Sequence, residues 1–199
     1  MFRLDNILER WAELYTPIKH SPENPTFFRI SMIDADSYFV RNYNKMTGPC
    51  MAYATHIDAE LAKQNPKAIS YRHVIYFLVK QPAGTLSKTT ITDEAGATEA
   101  RFKTDDMVQD LLAVLWTMKA AVNGKQPSIT GGTGGVSELA AFIAATVADA
   151  QYAEGLRGLQ LDGAHWGTLP MMLNGWQVCG LTIEQVNPRQ ICINQEKYI

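Results

Sequence analysis

The sequence predicts an α+β domain in which a mostly antiparallel β-sheet carries its helices on one face. Three kinds of segment support this prediction: two amphipathic helices, one long apolar strand between them, and an alternating strand near the end of the chain. Adjacent strands and hairpins favour antiparallel pairing, and the helices then cover the apolar side of the sheet. We expect residues 1–199 to form a single domain, with residues 125–173 as a Gly/Ala-rich insertion before a C-terminal β-hairpin.

Two helices are predicted from the spacing of apolar residues. The first covers residues 4–15, where leucine, isoleucine and tryptophan recur at helical spacing and charged residues fill the other side. Pro17 ends it, because proline cannot continue a helix. The second is predicted to begin with Thr104 as its N-cap and to stop at Gly124, which suits a helix C-terminus.

Five strands are predicted from β-branched, aromatic and alternating residues. Two shorter strands are expected at 26–33 and 50–58. The strongest signal lies at 69–81, "ISYRHVIYFLVKQ", which is apolar on both faces in its second half and is therefore expected at the centre of the sheet. Trp176–Val186 alternates, and it is predicted to form a hairpin with Ile191–Ile193 through the turn "NPRQ".

A glycine-rich stretch, "SITGGTGGVSEL" at 128–139, raises the question of a phosphate site. A P-loop needs a lysine followed by a hydroxyl residue, whereas Val136 and Ser137 follow the glycines here. A dinucleotide loop follows a buried strand, whereas a turn precedes this one. We therefore predict a linker into a helix that Ser137 caps. An anion could bind at such a helix start without making the protein an enzyme.

Composition and charge exclude several classes of function. The net charge of −2 gives no basic stripe for nucleic acid, and we expect no sequence-specific nucleic-acid partner. No apolar stretch approaches the roughly 20 residues that span a bilayer, and the start of the chain lacks the pattern of a secretory signal. Cys50, Cys179 and Cys192 have no metal or redox spacing, which indicates a reducing compartment.

Histidines and carboxylates suggest one place where chemistry could occur. His56 and Asp58 point to the same face of one predicted strand, and His73 lies in a strand that could pair with it. A metal site needs three or four convergent ligands, and the sequence places only two of them together. No nucleophile elbow is present. We therefore assign no catalytic, cofactor-binding or metal-binding residue and keep an enzyme with a pocket near these three residues as an alternative.

Two tryptophans are candidates for a protein interface. Trp166 lies in a segment flanked by glycines that is predicted to be a loop, and an exposed tryptophan there would anchor a partner. Trp11 belongs to the narrow apolar stripe of the first helix, which packs against its own core or against a neighbour.

The order of these segments resembles the tail-terminator and tail-completion proteins of tailed bacteriophages, and related neck or minor tail proteins. The resemblance rests on four stretches: "LDNILERWAELY", "ISYRHVIYFLVKQ", "DMVQDLLAVLWTMKAA" and "WQVCGLTIEQVNPRQICI". It covers about the first 122 and the last 25 residues and includes no diagnostic motif. Residues 125–173 have no counterpart in it.

The resemblance implies a virion structural protein that is assembled in the host cytoplasm. Such a protein forms a hexameric ring that caps the tail tube and binds the connector, and it needs no cofactor, membrane or catalytic residue. The polar stretch 82–103 is predicted to be a long loop or a mobile hairpin, and in such a ring it would be an ordering element between subunits. Thr89, Thr90 and Ile91 within it are therefore further interface candidates. A non-enzymatic binding module of the same fold class is the remaining alternative, because fold does not fix function.

Overall fold

The computed structural model describes residues 3–30, 48–54, 60–62, 65–80, 94–125, 135–169 and 176–187. These residues form four helices and six strands. In chain order the elements are α1 (Leu4–Leu14), β1 (Phe27–Ile30), β2 (Cys50–Ala54), β3 (Glu60–Ala62), β4 (Asn65–Lys80), α2 (Glu94–Val122), α3 (Gly135–Ala148), α4 (Ala150–Gly158), β5 (Leu159–Leu169) and β6 (Trp176–Asn187).

The strands form one sheet in the order β1-β2-β4-β6-β5, with β3 paired to the first part of β4. Every pair is antiparallel except β1 with β2, which is parallel. β4 is central, as its two apolar faces predict. It pairs with β6 along most of its length, from Ile69 opposite Asn187 to Lys80 opposite Trp176. The predicted α+β class is therefore confirmed.

The four helices pack on the same face of this sheet, which we call the helical face. The main core lies between the helices and the sheet. Three neighbouring strands contribute to it, β2 with Met51, β4 with Ile75 and Phe77, and β6 with Leu181. The side chains that alternate with these form a second cluster on the opposite face, which includes Trp176. The cluster on that opposite face is also buried, although no helix of the described ranges contributes to it.

The predicted first helix is confirmed in α1, whose apolar stripe is buried in the main core. The predicted strands at 26–33, 50–58 and 69–81 are confirmed where they are described, in β1, β2 and β4. The helix stop at Gly124 is also confirmed, since α2 ends at Val122 and Gly124 has a φ of 77°, which glycine adopts without steric cost.

Two sequence predictions around α2 are wrong. The helix begins at Glu94, so residues 94–103 are helical and only residues 82–93 of the predicted loop lie outside the described residues. Thr104 is not an N-cap: it is fully buried within the helix, and its hydroxyl donates to the carbonyl oxygen of Arg101. Glutamate, alanine and arginine in this stretch are good helix formers, and Ala100 packs in the core.

Within the predicted insertion 125–173, residues 135–169 contribute directly to the same core and sheet. Ile143 of α3, Leu156 of α4 and Leu159 of β5 belong to the main cluster. Asp149 caps α4, because its carboxylate accepts hydrogen bonds from the Gln151 and Tyr152 amides. α3 begins at Gly135, so Ser137 lies inside the helix instead of capping it.

β6 has different neighbours from those predicted. Its two edges are taken by β4 and by β5, and the antiparallel neighbour β5 is the described strand that precedes it in the chain. The predicted return strand Ile191–Ile193 lies outside the described residues.

Gly158, the last residue of α4, provides a test of this packing. A Cβ atom there would overlap the backbone carbonyl of Val186 in β6, and backbone cannot move aside cheaply. We expect Gly158→Ala to lower the free energy of unfolding by about 1–3 kcal/mol, as overpacking does. Urea denaturation measures this. Gly163→Ala is the control, because a Cβ at Gly163 meets only one atom, at 4.0 Å. Equal midpoints for the two variants would contradict the close approach.

Candidate functional site

Among the described residues the sheet ends at β5, whose outer edge is open there. β5 is the last strand in the sheet order, and β6 is its only partner strand in the described ranges. Residues 165–168 are all exposed. The free side of such a strand displays backbone N–H and C=O groups that another strand can pair with.

The two halves of β5 differ in regularity. Gln160 pairs with Glu184 but His165 pairs with Thr182, so the register shifts between Gln160 and His165. In the shifted part Leu161 turns inward and is buried in the main core. Irregular pairing of this kind discourages a further strand from adding. From His165 onward the pairing with β6 is regular, so the open edge is a straight run of residues 165–169.

This run has none of the residues that usually protect a sheet edge. Its sequence, "HWGTL", contains no lysine, no proline and no acidic residue. Natural sheet edges are commonly guarded by such residues, which prevent unwanted strand addition. The open edge of residues 165–169 is therefore suited to accept another strand.

One exposed tryptophan lies in this run. Trp166 is 46% exposed and sits opposite Leu181, on the helical face. Trp116 of α2 is also exposed, at 41%, but it is linked to the other end of β5. The Lys119 ammonium lies 5.8 Å from the centre of the Trp116 ring and donates to the carbonyl oxygen of Leu159, the first residue of β5. We name the run 165–169, with the side chain of Trp166, the β5 edge surface.

The residues predicted to lie at an interface differ in where the structure places them. Trp166 lies in a strand and not in a loop, and it is exposed as expected. Trp11 is only 2% exposed, stacks on Tyr15 and meets the ring of Phe77, so its side chain serves the core of this chain and offers no surface to a partner. Thr89, Thr90 and Ile91 lie outside the described residues, as do His56, Asp58 and Cys192.

His73 sits in a hydrogen-bonded row across three neighbouring strands. Its Nδ1 is 2.7 Å from the Tyr53 hydroxyl and its Nε2 is 2.8 Å from Oε1 of Gln185. Burial holds the pKa of His73 below its usual value, which favours the neutral ring. A neutral ring satisfies both bonds: Nδ1 accepts from Tyr53 and the Nε2–H donates to Gln185. Both nitrogens are thus engaged within the fold.

A network of charges joins α1 to β1. The Asp5 carboxylate accepts hydrogen bonds from the guanidinium groups of Arg3 and Arg29, and Arg29 also binds Glu9. The hydrogen bond from Arg3 lowers the pKa of Asp5 the most, and the hydrogen bond from Arg29 lowers it further. Every buried side-chain nitrogen or oxygen in the described ranges has a hydrogen-bond partner. The charges therefore hold the helix on the sheet.

The remaining reactive groups are held in structural roles. Cys50 and Cys179 are buried on opposite faces of the sheet, and burial raises their pKa values to about 12 and about 11, which disfavours the nucleophilic thiolate. Within the described ranges, no three histidine, cysteine or acidic side chains are grouped as a metal site would require. Gly131, Gly132 and Gly134 of the glycine-rich stretch lie outside those ranges.

Comparison with protein-family models, with curated proteins and with solved structures finds no match to this chain. No helix in the described part of the chain is both long enough and apolar enough to cross a bilayer.

Sequence reasoning missed the open edge because it assigned β5 to a loop. Gly163 and Gly167 suggested a turn, whereas both lie within the strand. A signal was nevertheless present, since the seven residues "GAHWGTL" carry no acidic or basic residue except one histidine, which is unusual for an exposed loop.

The row through His73 predicts a pH dependence of stability. Its pKa is lowered on folding, so the unfolded chain binds more protons near and below the ordinary value of about 6.5. The contribution of neutral His73 to the free energy of unfolding is complete above that value, and it is lost as the pH falls through the pKa of His73 in the folded state. We expect the urea midpoint of wild type to fall between about pH 7.5 and 5, and to fall less in His73→Gln. His165→Gln, in an exposed position, is the control. If the urea midpoints of wild type and His73→Gln fell equally with pH, the role of His73 in this pH dependence would be contradicted.

Proposed function

We propose that this chain is a non-enzymatic structural protein that works by assembling with copies of itself. The observation that carries the proposal is the β5 edge surface, which combines an unprotected strand edge with the exposed side chain of Trp166. The specific form that we propose follows from the resemblance to tail-terminator proteins: a ring in the virion, assembled in the host cytoplasm, that caps the tail tube and binds the connector.

Energetic considerations support a role in assembly. Adding a strand to an open edge satisfies backbone groups and covers tryptophan, which is enriched among residues that dominate binding energy. Each contact in a closed ring needs only modest affinity, because several contacts act together. A protein of this kind needs no cofactor, and its partners are other copies and the neighbouring tail or connector proteins.

The two alternatives gain less support. For an enzyme with a pocket near His56, Asp58 and His73, the described part of that region is occupied by the Tyr53–His73–Gln185 row, in which both ring nitrogens are already bonded. A binding module of the same fold class would use the β5 edge surface with a different partner. Self-association separates this module from the assembly protein.

The mass in solution tests the proposal. Light scattering behind a sizing column, over a concentration series, is expected to show a species of several copies that increases with concentration, because pairing at exposed surfaces follows mass action. Binding to purified tail-tube and connector proteins tests the specific ring role. A monomer at every concentration that also binds neither protein would refute the proposal.

A further inference from the structure

We propose that the open edge of β5 pairs with the same edge of a second copy, in antiparallel orientation, about a two-fold axis at Trp166. This inference rests on the proposed self-assembly but not on the ring. The pairing would extend the sheet from one copy into the next, so that two β5 strands lie side by side at the centre of a shared sheet.

The geometry of β5 selects an extended strand as the occupant. Residues 165–169 keep regular register with β6, so the backbone groups on their free side are spaced as a strand partner requires. No strand of the described ranges takes that side. Regular pairing does not extend past His165, because the register shifts before that residue. The contact is therefore short and lies at the C-terminal half of β5.

The side chains of β5 complement a second copy of themselves. A two-fold axis perpendicular to the sheet keeps each residue on its own face, so the axis passes midway between the two copies of one residue. With the axis at Trp166, His165 of each copy lies opposite Gly167 of the other, and Trp166 lies opposite Trp166. A Cβ at Gly167 meets nothing within 4 Å, so the space above this glycine is free for an imidazole. Large residues thus face small ones, with one aromatic pair at the centre.

Other registers and other occupants fit less well. An axis at Gly167 would place glycine opposite glycine and leave an unfilled gap, which weakens a strand pair. Like charges are not brought together by the self-pairing, since residues 163–169 contain no lysine, arginine or acidic residue. A stretch without charge has no reason to prefer a strongly charged partner segment. On each face of β5, large and small residues alternate, so a second copy that runs antiparallel places its large residues opposite small ones.

A self-pairing contact closes after two copies. The pair is then either the complete assembly or a building block. A closed ring that contains it has an even number of copies, needs a second, different contact between pairs and has two equivalent faces. The pairing is therefore an alternative to a ring that binds the tube on one face and the connector on the other. The mass of the assembly therefore reports on the ring and on the pairing separately.

The first experiment places a charge on the edge. Gly167→Lys fits the protomer because the space at Gly167 is open, and it brings two ammonium groups towards the axis. We expect it to raise the dissociation constant of the pair by at least about tenfold, since like charges and edge lysines oppose strand addition. Gly48→Lys is the matched control, because Gly48 is equally open and lies outside β5. Unfolding midpoints confirm that both variants fold.

The second experiment tests the register. In a Cys192→Ser background, His165→Cys and Gly167→Cys variants carrying tags of different size are mixed and oxidised. The proposed register predicts mixed cross-linked pairs in excess over either self-pair, because residue 165 faces residue 167. Cys50 and Cys179 are buried and provide the background level in the parent protein.

The outcomes distinguish the two proposals. Loss of pairing in Gly167→Lys together with mixed cross-links supports the inference, and if the wild-type mass is then only that of two copies, the ring is refuted and the pairing stands. An assembly that survives Gly167→Lys and gives no mixed cross-links refutes the pairing but leaves self-assembly intact. A monomer at all concentrations refutes the pairing, and a monomer that also binds neither the tail-tube nor the connector protein refutes both.

Discussion

The pairing of β4 with β6 is the constraint on which the rest of this fold depends. β4 is the longest of the described strands, and it is flanked by β2 and β3 on one side and by β6 on the other. Both of its faces are apolar, with Ile75 and Phe77 on the helical face and Leu78 on the other. A strand that is apolar on both faces must be covered on both, and this fixes it at the centre of the sheet.

The register of β4 also places the polar groups of the core. His73 lies diagonally between Tyr53 of β2 and Gln185 of β6, so that its two ring nitrogens meet partners on the two flanking strands. A slip of one residue in either ladder would move these side chains to opposite faces. The cost of burying three unpaired polar groups therefore penalises the wrong register, and the row adds specificity to a sheet that apolar packing alone would leave less well defined.

The sequence allowed the elements with strong periodicity to be predicted, namely α1, β4 and the part of α2 after Thr104. It failed where local composition and tertiary context disagree. Residues 94–103 contain glycine and many polar residues, yet the helix extends through them because Ala100, Met107 and Leu111 continue one buried stripe on the sheet. β5 contains glycine at 163 and 167, which suggests a turn, but pairing with β6 keeps it extended. Long-range pairing is not visible in a local pattern.

The candidate surface was predictable only in part, and the reason is the same. Trp166 could be recognised as an exposed aromatic residue from its small neighbours, whereas Trp11 could not be assigned to the core or to a partner, because a single stripe fits either. What the sequence could not show is that β6 has no free edge. Since β4 and β5 occupy both sides of β6, the sheet of the described residues ends at β5. The register shift makes the first half of β5 irregular, whereas its second half pairs regularly with β6. A protein that gained nothing from association would be expected to guard that second half with charge or proline, because an open uncharged edge favours aggregation. The absence of both from "HWGTL" therefore favours an edge that binds a specific partner over an edge that binds none.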